Sequence, residues 1–535
     1  MRARKWTSYT DILFYVYSFS DKSIFLSLFI YKGGMNMAVI QVKHLSFCYE
    51  ESYDMVFDDV SLTIDTESKT ALIGRNARGK TTLLKLLMNQ YDYQGEIIKS
   101  VPCEYFPYEI KDKSLYTIDV CMNIAPYIQQ WQLVKEFHLL NMDSDDIMYR
   151  PFETLSQGEQ TKVLLAVLFL KQKTFLLIDE PTNHLDQQSR RIVADYLNRQ
   201  KGFLLVSHDR AFIDACCHRV IALNPTSIEV VNGNFTSWYE NKQKRDIHEI
   251  EYNKHLKKDI HRLEESRKKA KQWSDKVEKS KNGHGHREAM VKPDKGYIGH
   301  MAAKMMKRSK NIELRKNRQI KEKKALLKDI EVYDDLKMTP LLYFQPILLS
   351  FQNFSLSYDQ KTLFHDLSFS IENGDRILLK GKNGCGKSSL ISFILGNKIN
   401  YHGKYTKGSH LKISYVSQDC ASLSGDLNHL IEQYKADKTL VFTVLRKLNF
   451  SRIHFEKRIE QMSEGQKKKV MLALSLASSA HLYIWDEPLN YIDIFSRIQI
   501  EKLILKYQPT LLFVEHDQFF QEKIATKIID FDELI

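Results

Sequence analysis

The second half of this chain repeats the first. A block at 38–240 returns at 346–535 with the same landmarks in the same order, and a segment with no counterpart separates the two copies. Self-similarity on this scale means a duplicated domain rather than one large core, and a length of 535 residues agrees. Each copy opens on a strand-like run ending in an aromatic, Tyr49 in VIQVKHLSFCY and Tyr358 in ILLSFQNFSLSY. Each then passes through a Gly-rich turn and later reaches an apolar run closed by paired acids, FLLIDE and HLYIWDE. Such runs read as buried parallel strands with carboxylates at their carboxyl ends, so α/β architecture is expected, with ligands at the strand ends.

The Gly-rich turns are Gly74-Arg75-Asn76-Ala77-Arg78-Gly79-Lys80-Thr81, followed by Thr82, and Gly381-Lys382-Asn383-Gly384-Cys385-Gly386-Lys387-Ser388, followed by Ser389. Both fit GxxxxGK[ST], a P-loop whose backbone N–H groups wrap phosphates while the following helix points its positive end at them. Lys80 and Lys387 are expected on the β- and γ-phosphates of ATP, with Thr81 and Ser388 on Mg²⁺ and Thr82 and Ser389 completing the cradles. The paired acids Asp179-Glu180 and Asp486-Glu487 suit hydrolysis, because one carboxylate can hold Mg²⁺ while the other polarises the attacking water.

With these residues in view, the chain beyond residue 38 resembles the ABC ATPases. The family's signature stands as Leu155-Ser156-Gln157-Gly158-Glu159 and Met462-Ser463-Glu464-Gly465-Gln466, each ahead of its acidic strand. The resemblance implies that His208 and His516 are switch histidines, that Asp186 and Asp493 are loop aspartates, and that Tyr49 and Tyr358 stack on adenine. It also implies composite sites within one monomer. Lys80, Asp179, Glu180 and His208 would face Ser463 and Gly465, and Lys387, Asp486, Glu487 and His516 would face Ser156 and Gly158, so that ATP joins the halves as an intramolecular cassette dimer. Gln418 in YVSQD matches the family's Mg²⁺-sensing glutamine, but the first half has Tyr108 there, in YFPYE. A phenol cannot replace the amide acceptor, so the first site is expected to turn over more slowly.

The formal charge of +12 sits between the copies: residues 241–340 hold 29 Lys and Arg against 16 Asp and Glu, a surplus of 13, and the rest of the chain is nearly balanced. Apolar residues at helical spacing in 241–272 and 300–334, with breakers Asn282-Gly283-His284-Gly285-His286 and Pro293-Asp294-Lys295-Gly296 between them, predict an antiparallel helical hairpin with arms of about 45–50 Å. Lys304, Lys307, Arg308, Lys310, Arg315, Lys316 and Arg318 lie in a stretch almost free of acids, which suits phosphate backbones better than a merely solvated helix face.

Two cassettes, no membrane domain and a charged linker together resemble the ABC-F family. The segment MVKPDKGYIGHMAAKMMKRSK, with QMSEGQKKKV and YIWDEPLNYID, is most similar to the Lsa/Vga-type antibiotic-resistance branch. The resemblance implies a cytoplasmic protein without a stable membrane partner, associated with the 70S ribosome through the 50S subunit, 23S rRNA and peptidyl-site tRNA. It further implies protection against lincosamides, streptogramin A and pleuromutilins by a linker reaching the drug site. Met290, Tyr297, Lys304, Lys307, Arg308 and Lys310 are the candidate ribosome contacts, Tyr297 serving either to stack on a base or to pack internally. A housekeeping translation factor and a transporter ATPase remain alternatives.

The organisation expected is 38–240 first cassette, 241–345 linker and 346–535 second cassette, with 1–36 either an untranslated leader ahead of a start at Met37 or a disordered extension. The apolar run at 12–31 carries Asp21 and Lys22 near its centre, each costing about 2.5–3.5 kcal/mol inside a bilayer, and is not expected to span one. Seven cysteines without CxxC spacing support neither a zinc site nor a disulfide framework.

Overall fold

The computed structural model describes residues 39–49, 55–281 and 336–534, apart from short gaps at 172, 184, 225–226, 359–360, 421–422 and 451, together with helical positions between 300 and 319. Segment 1–36, Met290, Tyr297, Arg308 and the Tyr358 side chain lie outside the described residues.

In the first half, β1 (Val39–Cys48) is the middle of an antiparallel sheet with β2 (Met55–Asp65) and β4 (Gln94–Lys99). The second sheet comprises β3 (Lys69–Gly74), β5 (Cys103–Phe106), β6 (Phe175–Asp179), β7 (Phe203–Val206), β8 (Arg219–Leu223) and β9 (Ile228–Asn232). Its order is β5-β6-β7-β3-β8-β9, parallel except for the β8/β9 pair. The central strands carry consecutive buried apolar residues because both faces are covered. Ala71, Ile73, Ile178 and Leu205 face one core, while Leu72, Leu177, Leu204 and Val206 face the other.

The second half repeats the plan. β10 (Ile347–Tyr358) lies between β11 (Lys361–Glu372) and β13 (Asn400–Lys407). A parallel sheet orders β14 (Ile413–Val416), β15 (Leu482–Asp486), β16 (Leu511–Val514), β12 (Arg376–Lys380) and β17 (Lys527–Asp530) in that sequence. In both halves the P-loop leaves one central strand and the paired acids close its neighbour but one, so the chemistry gathers at the carboxyl ends of the strands.

The linker helix departs from its expected bounds. It spans Phe235–Lys281, 47 residues or about 70 Å, rather than 241–272. It starts earlier because Asn234 Oδ1 accepts from the Ser237 N–H at 3.0 Å, and Phe235 and Trp238 bury in the first half's core. It runs longer because Lys, Glu, Arg and Gln sustain a helix after the apolar periodicity fades. Lys316 donates to the Ser266 hydroxyl, bringing the return segment beside it. No helix among the described residues is long and apolar enough to cross a membrane.

Candidate active sites

Each P-loop is shaped by backbone that only small residues tolerate. Gly79 has φ +82°, and a Cβ there would lie 2.7 Å from Val56 Cγ1 and 2.8 Å from Phe57 Cζ. Gly386, at φ +101°, would place its Cβ 3.0 Å from Phe364 Cδ1. Ala77 takes φ +64°, which its counterpart Gly384 adopts at +81° without steric cost. Lys80 Nζ donates to the carbonyls of Gly74 (2.8 Å) and Arg75 (3.2 Å), and Lys387 Nζ to those of Gly381 (2.8 Å) and Lys382 (2.6 Å). Thr81 Oγ1 donates to Asp179 Oδ2 at 2.8 Å, and Ser388 Oγ to Asp486 Oδ2 at 3.0 Å. A hydroxyl and a carboxylate meeting over a helix N-terminus form an all-oxygen set that fits Mg²⁺ bound with phosphates. Tyr49 stands by the first loop, its hydroxyl 2.7 Å from Thr82 Oγ1.

Glu180 and Glu487 share another signature: both are non-glycine residues in the left-handed region, at φ +51° and +48°. Strain at matching positions marks a constraint beyond packing. Nε2 of His208 lies 3.3 Å from Glu180 Oε1, and Nε2 of His516 lies 3.5 Å from Glu487 Oε1. The two pairs nevertheless differ electrostatically. Burial, helped by the neighbouring Asp179 charge, pushes Glu180 up to about 8, and burial with the Lys80 and Arg497 charges drives His208 well below its ordinary range. Burial also pushes at Glu487, but the His516 hydrogen bond and charge and the Asn490 amide (2.7 Å) outweigh it and hold the carboxyl at about 2. Asp486 is raised by burial to about 6.

The loops expected to sense Mg²⁺ also diverge. Tyr108 turns away from the Thr81–Asp179 pair, its ring under Lys171 Nζ at 4.9 Å and its phenol raised by burial and the Glu104 carboxylate. Instead the Tyr105 hydroxyl donates to Asp179 Oδ2 at 3.1 Å. Gln418 is exposed, on a loop that Lys468 holds: its Nζ donates to the carbonyls of Ser417 (2.7 Å), Gln418 (3.4 Å) and Asp486 (3.3 Å). The position equivalent to Lys468 is Thr161, which only bonds back to the Gln157 carbonyl of its own helix. Sequence reasoning passed over Tyr105 and Lys468; the lysine run after Gln466 was the available signal for the second.

Comparison with known proteins agrees with this double geometry. The ABC transporter family model matches twice, at 57–183 and 364–490. The ribosome protection protein VmlR of Bacillus subtilis (strain 168) is 28% identical over 484 residues, covering 89% of this chain and 84% of that protein. ABC transporter F family member 5 of Arabidopsis thaliana is 23% identical, covering 89% of this chain and 73% of that protein. The chain belongs to the ABC-F family. Its fold is also similar to that of the archaeal ribosome recycling factor aABCE1 in complex with stalk protein aP1, at TM-score 0.55 and 17% identity over 87% of this chain and 83% of that one.

As an ABC-F ATPase the chain brings its halves into direct contact. Asn76 Nδ2 donates to the Tyr491 carbonyl at 3.0 Å, and Asn449 Nδ2 to the Asn76 carbonyl at 2.9 Å. The signature residues are engaged within their own helices: Ser156 with Glu159 and Ser463 with Gln466 form capping boxes at the starts of Gln157–Leu170 and Glu464–Ala477. Tyr491 and Asn449, the partners of Asn76 across the interface, follow and precede the second signature in the chain. Asp186 and Asp493 N-cap Gln187–Asn198 and Ile494–Tyr507. Asp493 is also close enough to Lys80 to oppose the lowering of the lysine's pKa by burial. The second cleft is lined by Gly381, Lys382 and His516 together with Asp186, Gln187 and Arg191 of the first half.

Proposed function

We propose that this ABC-F ATPase binds the ribosome and protects the 50S peptidyl-transferase centre from lincosamide, streptogramin A and pleuromutilin antibiotics. The observation that carries the reading is the match to a protein named for ribosome protection, which extends through both cassettes and across the linker. The basic linker supports it: Lys304, Lys307 and Lys310 are exposed along the return helix, where phosphate backbones are the natural counter-charge.

In this reading Lys80 and Lys387 bind the β- and γ-phosphates of ATP, while Thr81 with Asp179 and Ser388 with Asp486 hold Mg²⁺. Glu180 and Glu487 orient water, each steadied by its histidine, and Gln418 monitors the second metal shell. Bound Mg²⁺ supplies Lewis-acid stabilisation of the transferring phosphoryl group. The second site is the faster. Its glutamate is held ionised by His516 and Asn490, and its sensing loop is pinned by Lys468.

The test is co-sedimentation of Glu180→Gln/Glu487→Gln protein with 70S ribosomes in ATP, alongside drug susceptibility of cells expressing wild type. Ribosome binding with raised resistance is expected. Binding without resistance would point to a housekeeping factor, and membrane association without ribosomes to a transporter subunit.

A further inference from the structure

Arg210 follows His208 by two positions and opens the helix Arg210–Cys216, which Asp209 N-caps. Its guanidinium crosses into the second half. It pairs with Glu501 and lies 3.4 Å from Asp517 Oδ1, with its carbon 5.0 Å above the Phe519 ring. All three charged groups are buried, Arg210 at 7% exposure and both carboxylates at 0%.

Asp517 is the residue after His516. One of its oxygens accepts from the Phe520 N–H (3.0 Å) to cap Gln518–Ile524, and the other accepts from Arg497 Nη1 (3.0 Å). Arg497 in turn donates to the Leu489 carbonyl at 3.0 Å, in the loop that follows Glu487. A continuous set of buried hydrogen bonds therefore runs from the His208 segment through Arg210, Asp517 and Arg497 to both flanks of the second glutamate–histidine pair.

The duplication supplies an internal control. The position matching Arg210 in the second half is Gln518, which bonds to Glu522 of its own helix at 2.7 Å. The position matching Glu501 in the first half is Ala194. The Arg210–Glu501 ion pair thus has no counterpart at the matching positions, while Asp209 is held by Arg190 of its own half at 2.8 Å.

We propose that Arg210 is a positioning residue through which the first cassette sets the alignment of His516 and Glu487, so that communication between the ATP sites runs mainly through the second site. This rests on the site assignments above, which Glu180→Gln/Glu487→Gln protein tests separately by losing turnover altogether. Coupling of this kind needs a physical element that both sites bias, and the buried Arg210–Asp517 contact is that element.

The experiment compares Arg210→Gln/Glu501→Ala, which copies the Gln518/Ala194 arrangement and leaves Asp517 with Arg497, in two backgrounds. In Glu180→Gln protein, where only the second site turns over, kcat is expected to fall about tenfold with KM changed less than about twofold. In Glu487→Gln protein, first-site turnover stays within about twofold. Arg210→Lys in the Glu180→Gln background recovers part of the loss. Equal losses at both sites would mean that Arg210 only glues the halves together, and no loss at either would remove the role. Either result overturns the proposal.

Discussion

At the residue scale, the two glutamates give opposite pH responses in nucleotide-free protein. Glu180 has a folded pKa of about 8 against an ordinary 4.5, so its contribution to stability is complete below about 4.5 and is lost as pH rises through about 8. Glu487, held at about 2, contributes above about 4.5 and loses its contribution only as pH falls toward 2. Glu180→Gln should therefore match wild type in thermal unfolding at pH 4 and exceed it at pH 8.5, while Glu487→Gln should melt below wild type at both. Parallel behaviour of the two variants in Mg²⁺-free scanning calorimetry would contradict the electrostatic inequality. The residues of the motifs were legible in sequence because phosphate and metal chemistry restricts them to a few types at fixed spacing. The neighbours that make the sites unequal were not. Asn490, Tyr105 and Lys468 act through side-chain directions that spacing does not encode, and neither does spacing tell that Tyr108 lies under Lys171.

At the element scale, the linker helix is rooted in the cassette interface. Trp238, in its first turn, meets Phe495 of the second half edge-on at 6.2 Å, and Lys242 Nζ lies 5.3 Å from both ring centres. Phe495, with Ile494 and Ile498, belongs to the helix after Asp493 and packs into the first half's core. The helix that follows the loop beside Asn76 therefore also bears on the base of the linker, so closure and linker position share one contact. Trp238→Ala should cost about 3–5 kcal/mol of local packing, seen as a lower unfolding temperature and faster hydrogen exchange across 235–242 and 494–498 together. Protection lost on only one of those segments would mean that they are not a single unit. The existence of the linker helix could be read from composition and apolar spacing, but its origin could not, because Phe235 and Trp238 look like cassette core until the packing shows them to be both core and helix.

At the scale of the whole molecule, duplication and segregated charge divide the work. Two cassettes carry the P-loops, the first net acidic (20 Lys and Arg against 27 Asp and Glu in 38–240) and the second close to balance (24 against 21 in 346–535), and the surplus of 13 positive charges lies in the segment between them. Placing the charge there separates the energy of nucleotide closure from that of polyanion binding, so the second can be weakened without touching the first. Lys304, Lys307 and Lys310 recur every third residue on an exposed stretch of helix. If each displaces a counterion from an rRNA phosphate, neutralising all three to Gln should flatten the dependence of log K on log salt by about 2–3, at about 0.7–0.9 per contact. Co-sedimentation of Glu180→Gln/Glu487→Gln protein with ribosomes across a KCl series reads that slope directly, and ATPase turnover of the triple variant in the wild-type background should stay unchanged. A slope that keeps its wild-type value would assign these lysines to a solvated helix face and move the ribosome contact elsewhere on the chain.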